Sequence, residues 1–136
     1  MKRLLVVLGL FGFAICAQQA SAQNGVVTSP DAQRAIDLQL HSIIRSIQQE
    51  IGVEHRDGSI IREAELRQRT IWQKVQMTFD KYSSSSISSY AERRDYMKKQ
   101  FCMGETAKLI LYGVAWEYEY IDRTGAKLAS FRIDRC

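Results

Sequence analysis

Apolar residues recur at spacings of three and four between Ile36 and Ile51, a pattern typical of a helix with one buried face. The start of this helix is well marked, because Ser29 can serve as the N-cap and Pro30 suits the first helical position. Gly52 follows the last apolar residue and is a common helix stop. We therefore predict a first helix from Pro30 to Ile51.

A second stretch with helical spacing follows a turn at residues 55–59. Its apolar positions are Ile61, Ala64, Ile71, Trp72, Val75, Phe79 and Tyr82. Glu63 and Glu65 each stand four residues before an arginine, an order of charges that supports a helix. We predict a second helix here, which the serine-rich residues 83–89 interrupt.

The next residues carry the signals of a helix start. Ser89 and Glu92 have the spacing of a capping box, and Ile87 is placed to act as its hydrophobic staple. They predict a third helix that continues to about Cys102. The sequence ETAKLILY then predicts one or two further helical turns, which Gly113 ends.

The C-terminal residues 113–136 predict two strands joined by a turn. A three-residue turn closed by Gly125 would place Trp116 opposite Arg132, whereas a four-residue loop would place it opposite Phe131. The second register gathers the apolar side chains on one face: Val114, Trp116, Tyr118, Phe131 and Ile133. We favour this register, because a slip of one residue would send those side chains to the opposite face.

A two-stranded hairpin alone is only marginally stable in water, so its apolar face must pack against the helices. The predicted fold is therefore α+β, with three to four helices packed on a C-terminal antiparallel β-hairpin and one disulfide. Residues 23–136 are enough for a single small domain of this kind.

Residues 1–22 have the pattern of a signal peptide rather than of folded structure. A basic start at residues 2–3 precedes an apolar run over residues 4–17, and small residues at 20–22 suit signal peptidase. The apolar run is shorter than the roughly 20 residues that span a bilayer, so we expect no stable membrane anchor after cleavage. Cys16 lies upstream of the cleavage site and no small residue precedes it, which argues against lipidation. We predict export through a cleaved signal peptide to the periplasm or beyond.

Loss of this leader changes the charge balance. The chain has 19 basic and 15 acidic residues, a net charge of +4, and removal of the two basic residues at 2–3 lowers it to +2. The remaining basic residues include one cluster: Arg93, Arg94, Lys98 and Lys99. Such a cluster could meet phosphate or anionic lipid. Because Glu92 and Asp95 are interspersed, we interpret it as a solvated helix face and expect no nucleic-acid partner.

Export would also place the chain where disulfides persist. The loss of Cys16 with the leader leaves an even pair, Cys102 and Cys136, and we predict that these two residues form a disulfide. The antiparallel return of the hairpin would bring Cys136 back toward the end of the third helix. A reactive thiol or an intermolecular bridge through Cys136 is the alternative.

Candidate chemistry is sparse in this sequence. His41 and His55 are its histidines, and neither has a cysteine or an acidic residue at metal-ligand spacing. His55 and Asp57 could form an acid–base pair, but turns collect such residues in any case. Glu117 and Glu119 share one strand face, which solvent exposure explains equally well. We expect no catalytic, cofactor-binding or metal site, and no cofactor.

The C-terminal third carries the pattern GV-x-x-x-Y-x-Y-x-D-x-x-G, with one cysteine before it and a second at its end. The residues that carry it are Cys102, Gly113, Val114, Tyr118, Tyr120, Asp122, Gly125, Phe131 and Cys136. This part of the chain resembles small exported proteobacterial proteins, among them a family described as quorum-sensing-regulated virulence factors. The resemblance marks a fold rather than a catalytic site, and it implies an exported, virulence-associated role.

These features favour an exported, non-enzymatic interaction protein, periplasmic or secreted, whose partner is another protein. The alternative is an inhibitor or immunity-type protein that blocks a periplasmic hydrolase. An enzyme whose site uses no familiar motif is a third class.

Overall fold

The computed structural model of the protein describes residues 29–78 and 87–136. Its elements, in chain order, are α1 (Pro30–Gln49), β1 (Ser59–Arg67), β2 (Thr70–Met77), α2 (Ile87–Met103), α3 (Thr106–Leu111), β3 (Ala115–Ile121) and β4 (Lys127–Ile133). The predicted signal peptide and the serine run at 83–86 lie outside the described residues. Within the described ranges, no helix combines the length and the apolar character that a membrane span requires.

The four strands form one mixed sheet in the order β1-β2-β3-β4. The outer pairs are antiparallel, whereas the central strands β2 and β3 run parallel and are joined by the segment that contains α2 and α3. The predicted fold, in which helices pack on a lone C-terminal hairpin, is therefore wrong. The C-terminal hairpin is one half of a four-stranded sheet, because β2 pairs with the strand edge that a lone hairpin would leave open.

Helix α1 agrees with its sequence signals. Ser29 is its N-cap residue in an extended conformation, although the serine side chain makes no capping hydrogen bond. The helix ends at Gln49, and Gly52 follows with a φ of +85°, a conformation that glycine adopts without strain. Three residues of its apolar stripe are buried above the sheet: Ile36, Leu40 and Ile44.

The predicted second helix is wrong, because its residues from Ile61 to Val75 form the β1–β2 hairpin. Phe79 and Tyr82, which the prediction also placed in this helix, lie outside the described residues. A β-bulge at Arg62 puts two residues of β1 against one of β2, so Ile61 and Ala64 face the same side of the sheet despite their spacing of three. On β2 the alternating positions of that face include Gln73, and this polar residue interrupts the apolar alternation. A bulge and one buried amide thus produce apparent helical spacing in a pair of strands.

Helix α2 starts earlier than predicted. It begins at Ile87, so Ser89 lies inside its first turn and the predicted capping box is wrong. The Ile87 side chain, the predicted staple, lies outside the described part of the molecule. The helix ends at Met103, close to the predicted Cys102, and α3 fills the predicted extra turns before Gly113.

The β3–β4 register matches neither of the two predicted registers. Trp116 lies opposite Ile133, and Tyr118 opposite Phe131, a shift of two residues that keeps every side chain on its predicted face. Two features each add one residue to this shift. The connecting loop, residues 122–126, has five residues rather than four, and the Asp122 carboxylate closes it by accepting hydrogen bonds from the Thr124 and Ala126 amides at 2.7 and 2.9 Å. A β-bulge follows at Leu128, since Ile121 lies opposite Lys127 whereas Tyr120 lies opposite Ala129.

The sheet has two chemically distinct faces. Helices α1 and α2 cover the inner face, and the core there consists of Ile36, Leu40, Ile44, Ala64, Ile71, Val75, Met77, Tyr90, Leu109, Ile110, Val114, Trp116, Tyr118, Tyr120 and Ile133. The outer face carries charged side chains together with a few buried apolar residues. The charged ones include Glu63, Glu65, Lys74, Glu117, Glu119 and Arg132, and the apolar ones are Ile60, Trp72, Ala115 and Ile121. Any recessed site on this sheet is therefore expected on the inner face, where the covering helices leave space.

A disulfide joins Cys102 to Cys136, the pairing that the sequence predicts, with a Cα–Cα distance of 5.6 Å. Cys102 lies in the last turn of α2, and Cys136 follows β4. The bond therefore fastens the C-terminus to the helix that covers the β4 side of the inner face.

Candidate functional site

An open cleft of about 520 Å³ lies on the inner face of the sheet. One wall is the turn at residues 55–59, and the other is the face of α2 that carries Arg93 and Met97. The floor consists of β2 and β3 side chains: Gln73, Val75, Tyr118 and Tyr120. A cleft of this volume is large enough to hold a few side chains of a bound segment.

The parallel pairing of β2 and β3 sets the floor of the cleft. It places Gln73 beside Tyr118 and Val75 beside Tyr120, so that all four side chains share one face. Burial raises the pKa of the Tyr118 phenol far above its ordinary value, although a hydrogen bond with the Gln73 side chain opposes this shift. The floor is therefore uncharged at neutral pH, with the amide and the phenol satisfying one another.

Tyr120 is held firmly at the end of the floor. Its ring packs between Tyr90 of α2 and Phe131 of β4, with centroid distances of 5.3 and 5.6 Å. Its hydroxyl accepts a hydrogen bond from Arg93 Nε at 2.9 Å. The tyrosine therefore fixes the position of an arginine above the uncharged floor.

Arg93 spans the cleft from α2 to the opposite wall. Its Nη2 donates to Asp57 Oδ2 at 2.5 Å, and its guanidinium carbon lies 5.4 Å from the centroid of the Tyr120 ring. The Arg93 side chain is only 20% exposed, whereas that of Asp57 is 40% exposed. The ion pair thus bridges the two walls at the mouth of the cleft, where water still reaches the carboxylate.

Asp57 is held from its own side of the cleft by Ser59. The Ser59 hydroxyl and amide donate to Asp57 Oδ1 at 2.6 and 3.1 Å. Burial by itself would raise the pKa of Asp57, but the hydrogen bonds from Ser59 and Arg93 outweigh it and lower this pKa to about 2. The carboxylate is therefore ionised at every physiological pH.

Two further groups lie on the same turn. Arg56 is exposed and forms no ion pair with any residue in the ranges 29–78 and 87–136. The Nε2 atom of His55 is buried and has no hydrogen-bond partner in the described part of the chain. Among the described residues that line the cleft, two arginines, Arg56 and Arg93, stand beside one carboxylate, that of Asp57, and this part of the mouth therefore carries an excess of positive charge.

The structure separates the candidate residues of the sequence analysis. His41 is exposed on α1, away from the cleft. His55 and Asp57 both line the cleft, but the hydrogen bonds of the Asp57 carboxylate go to Ser59 and Arg93. Glu117 and Glu119 lie on the outer face, where they pair with Arg132 and Lys127 as solvent-facing residues. Among the residues described, no group of histidine, cysteine or acidic side chains is arranged to hold a metal ion.

The basic cluster of α2 also divides. Arg94 pairs with the neighbouring Asp95 on the exposed side, as expected of a solvated face, whereas Arg93 turns inward to the cleft. A signal for this was present in the sequence, because Tyr90, Arg93 and Met97 stand three and four residues apart and so share a helix face. Gln73 gave no such signal, since it was assigned to a helix.

No family model matches the chain. No curated protein matches its sequence. The fold, however, is similar to that of two solved structures. A candidate secreted protein from Pseudomonas aeruginosa has a TM-score of 0.53 and 12% sequence identity, over 73% of this chain and 92% of that one. The type II secretion system pilotin AspS from Vibrio cholerae has a TM-score of 0.56 and 13% identity, over 76% and 92%. At this identity the likeness shows a shared fold.

Proposed function

We propose that the chain is an exported, non-enzymatic protein that binds another protein through the cleft on its inner face. The observation that carries this proposal is the arrangement of Arg93 over a floor that contains Tyr118 and Tyr120. Arginine and tyrosine are enriched among the residues that dominate the affinity of protein interfaces. Here both are fixed in advance, which lowers the ordering cost that binding otherwise carries.

Export is the first part of the proposal. It is supported by the leader-like residues 1–22, by the disulfide between Cys102 and Cys136, and by the fold shared with a candidate secreted protein. We expect cleavage between Ala22 and Gln23. Intact-mass measurement of protein from the exporting host tests this, and a mass that retains Met1 or carries acyl chains would contradict it.

Binding of a protein partner is the second part. It is supported by the shape of the site, an open cleft with an uncharged, largely aromatic floor and, among the described residues, charged groups at its mouth. The fold shared with a secretion-system pilotin is consistent with work on protein partners. The family resemblance adds the expectation that this binding serves a virulence-associated process.

Site-directed photo-crosslinking in the exporting host tests the binding surface. A photoreactive phenylalanine analogue at position 97, in place of an uncharged residue of the cleft wall, would report on the cleft, and the same analogue at position 63 on the outer face is the matched control. We expect a discrete crosslinked protein from position 97 and none from position 63. Equal crosslinking from both positions, or none from position 97, would exclude the cleft as the binding surface.

The identity of the captured protein separates two classes of function. A structural or secretion component indicates an interaction protein. A hydrolase whose activity falls when the purified chain is added indicates the inhibitor or immunity-type alternative.

A further inference from the structure

We propose that the cleft recognises an acidic side chain of its protein partner, which pairs with Arg93. In the free protein, Asp57 forms this ion pair in place of the partner's carboxylate. An apolar side chain next to the acidic one would lie on the tyrosine floor. This inference rests on the proposed function and specifies the chemistry of the segment that binds.

The position of the ion pair between Arg93 and Asp57 would allow a carboxylate of the partner to replace Asp57. It crosses the mouth of the cleft from α2 to the turn at residues 55–59, so an entering segment meets it first. The Asp57 side chain is 40% exposed, and ion pairs in contact with water contribute little net free energy. A second carboxylate can therefore replace Asp57 at small cost.

Both members of the pair keep a second anchor if they separate. Arg93 Nε remains bonded to the Tyr120 hydroxyl, which holds the guanidinium over the floor. Asp57 Oδ1 keeps its bonds from Ser59. Exchange therefore leaves neither group without a hydrogen bond, which avoids the larger cost of an unpaired buried charge.

Charge complementarity identifies the class of ligand. Among the described residues that line the cleft, Arg56 and Arg93 outnumber the one carboxylate, that of Asp57, so they attract an anionic group, and a guanidinium edge matches the geometry of a carboxylate. The cleft is open at its mouth, so a segment can lie across it without ending there. We therefore assign the carboxylate to an acidic side chain within a segment rather than to a chain terminus.

Blocked tripeptides provide the direct test, with the protein of residues 23–136 uniformly labelled with nitrogen-15. The first probe has glutamate between two phenylalanines, and the matched control has glutamine in place of the glutamate. Acetyl-phenylalanine, which carries a free terminal carboxylate, is the third probe. We expect the glutamate peptide to bind more tightly than the other two and to shift the backbone amides of Asp57, Arg93 and Tyr120.

Two variants then test the role of Asp57. Asp57→Asn keeps an oxygen for Ser59 but removes the competing charge, so we expect it to bind the glutamate peptide about threefold to fivefold more tightly. Its affinity for the glutamine peptide should not change. Glu63→Gln removes a paired carboxylate on the outer face, and this matched control should leave both affinities as they are.

Arg93→Gln should remove the preference for the glutamate peptide, with circular dichroism as the check on folding. If that variant fails to fold, the peptide affinities of Asp57→Asn still test the inference. Equal affinity of the wild-type protein for the glutamate and glutamine peptides, or no gain in Asp57→Asn, would overturn the inference. Tighter binding of acetyl-phenylalanine would overturn the assignment to an acidic side chain.

The outcomes of the two proposals are distinguishable. A protein crosslinked from position 97, combined with equal peptide affinities, would retain the proposed function and reject the acidic segment. Preference for the glutamate peptide without any crosslinked protein would retain the carboxylate site and reject the protein partner.

Discussion

The two tryptophans of the sheet are nearly equally buried but lie on opposite faces. Trp116, on the inner face, is 4% exposed and belongs to the core, with the Phe101 ring of α2 at a centroid distance of 5.2 Å. Trp72, on the outer face, is 6% exposed, and the Arg67 guanidinium carbon lies 3.9 Å from its ring centroid. Similar burial is thus reached beside a packed helix in one case and beside a charged side chain in the other.

This difference indicates that the two faces of the sheet have different roles. The charged side chains of the outer face pair largely with one another, as Glu63 does with Lys74 and Glu117 with Arg132. On the inner face, the helices leave a cleft with the ion pair of Arg93 and Asp57 at its mouth and the nearly buried Tyr118 and Tyr120 in its floor. The inner face therefore provides both the stability of the fold and the candidate site, and four experiments test this division.

Truncation of the two tryptophans should show the largest contrast. Trp116→Ala should reduce the free energy of unfolding by about 3–5 kcal/mol, because packed neighbours cannot fill the cavity. Trp72→Ala should cost less, about 2–3 kcal/mol, because the burial of the ring and its cation–π contact are lost but the flexible Arg67 side chain can move into the space. Urea denaturation measures both values. Equal losses would show that the outer face is packed as firmly as the core.

Removal of the disulfide should have the next largest effect. The bond fastens α2, the helix over the cleft, across a sequence separation of 34 residues. In the chain-entropy model its loss should cost about 3–4 kcal/mol. The double variant Cys102→Ser/Cys136→Ser should show this in urea denaturation, and the reduced wild-type protein is the control that should match it.

Thiol titration of the oxidised, unfolded protein completes this test. We expect no free thiol from Cys102 or Cys136 and a monomer under non-reducing conditions. Two free thiols, or a dimer that separates only on reduction, would support the alternative role of Cys136.

The sequence predicted the elements whose signals are local. The cap region, the apolar stripe and the terminal glycine of α1 all lie within residues 29–52, and the structure has the helix there. The β1–β2 hairpin was missed because the bulge at Arg62 and the buried Gln73 disrupt alternation, and because the connection at Gln68 and Arg69 lacks a typical turn residue. Once β2 was taken for a helix, its parallel pairing with β3 could not be inferred.

The candidate site depends on contacts that sequence spacing does not contain. Tyr118 was correctly assigned to a buried face, but the partner strand that forms the floor beside it was unknown. The ion pair between Asp57 and Arg93 joins residues 36 positions apart, from a turn and from a helix. These two residues come together because of the order of the strands in the sheet. The sequence indicated only that Arg93 shares a helix face with Tyr90.

Acid should weaken the inner face through Asp57. Its pKa falls from an ordinary 3.8 to about 2 on folding, so its stabilising effect is complete above the unfolded value and is lost as the pH falls through 3.8 toward 2. Because the carboxylate is partly exposed, we expect a loss of only about 1 kcal/mol after solvent screening. Urea denaturation between pH 6 and about 2 should show this loss of stability in the wild-type protein and not in Asp57→Asn. The same acid dependence in both proteins would mean that other carboxylates account for it.

The smallest effect should come from the outer face, where Glu63 Oε1 accepts a hydrogen bond from Lys74 Nζ at 2.6 Å. The Glu63 side chain is 50% exposed, so water replaces the lost partner and salt screens the charges that remain. Glu63→Gln should therefore leave the urea midpoint within experimental error of the wild-type value, at low and at high ionic strength. Asp57→Asn makes the same chemical change at the mouth of the cleft and should lower the midpoint at neutral pH. If Glu63→Gln lowered it as much, the charged outer face would share in the stability that we attribute to the inner one.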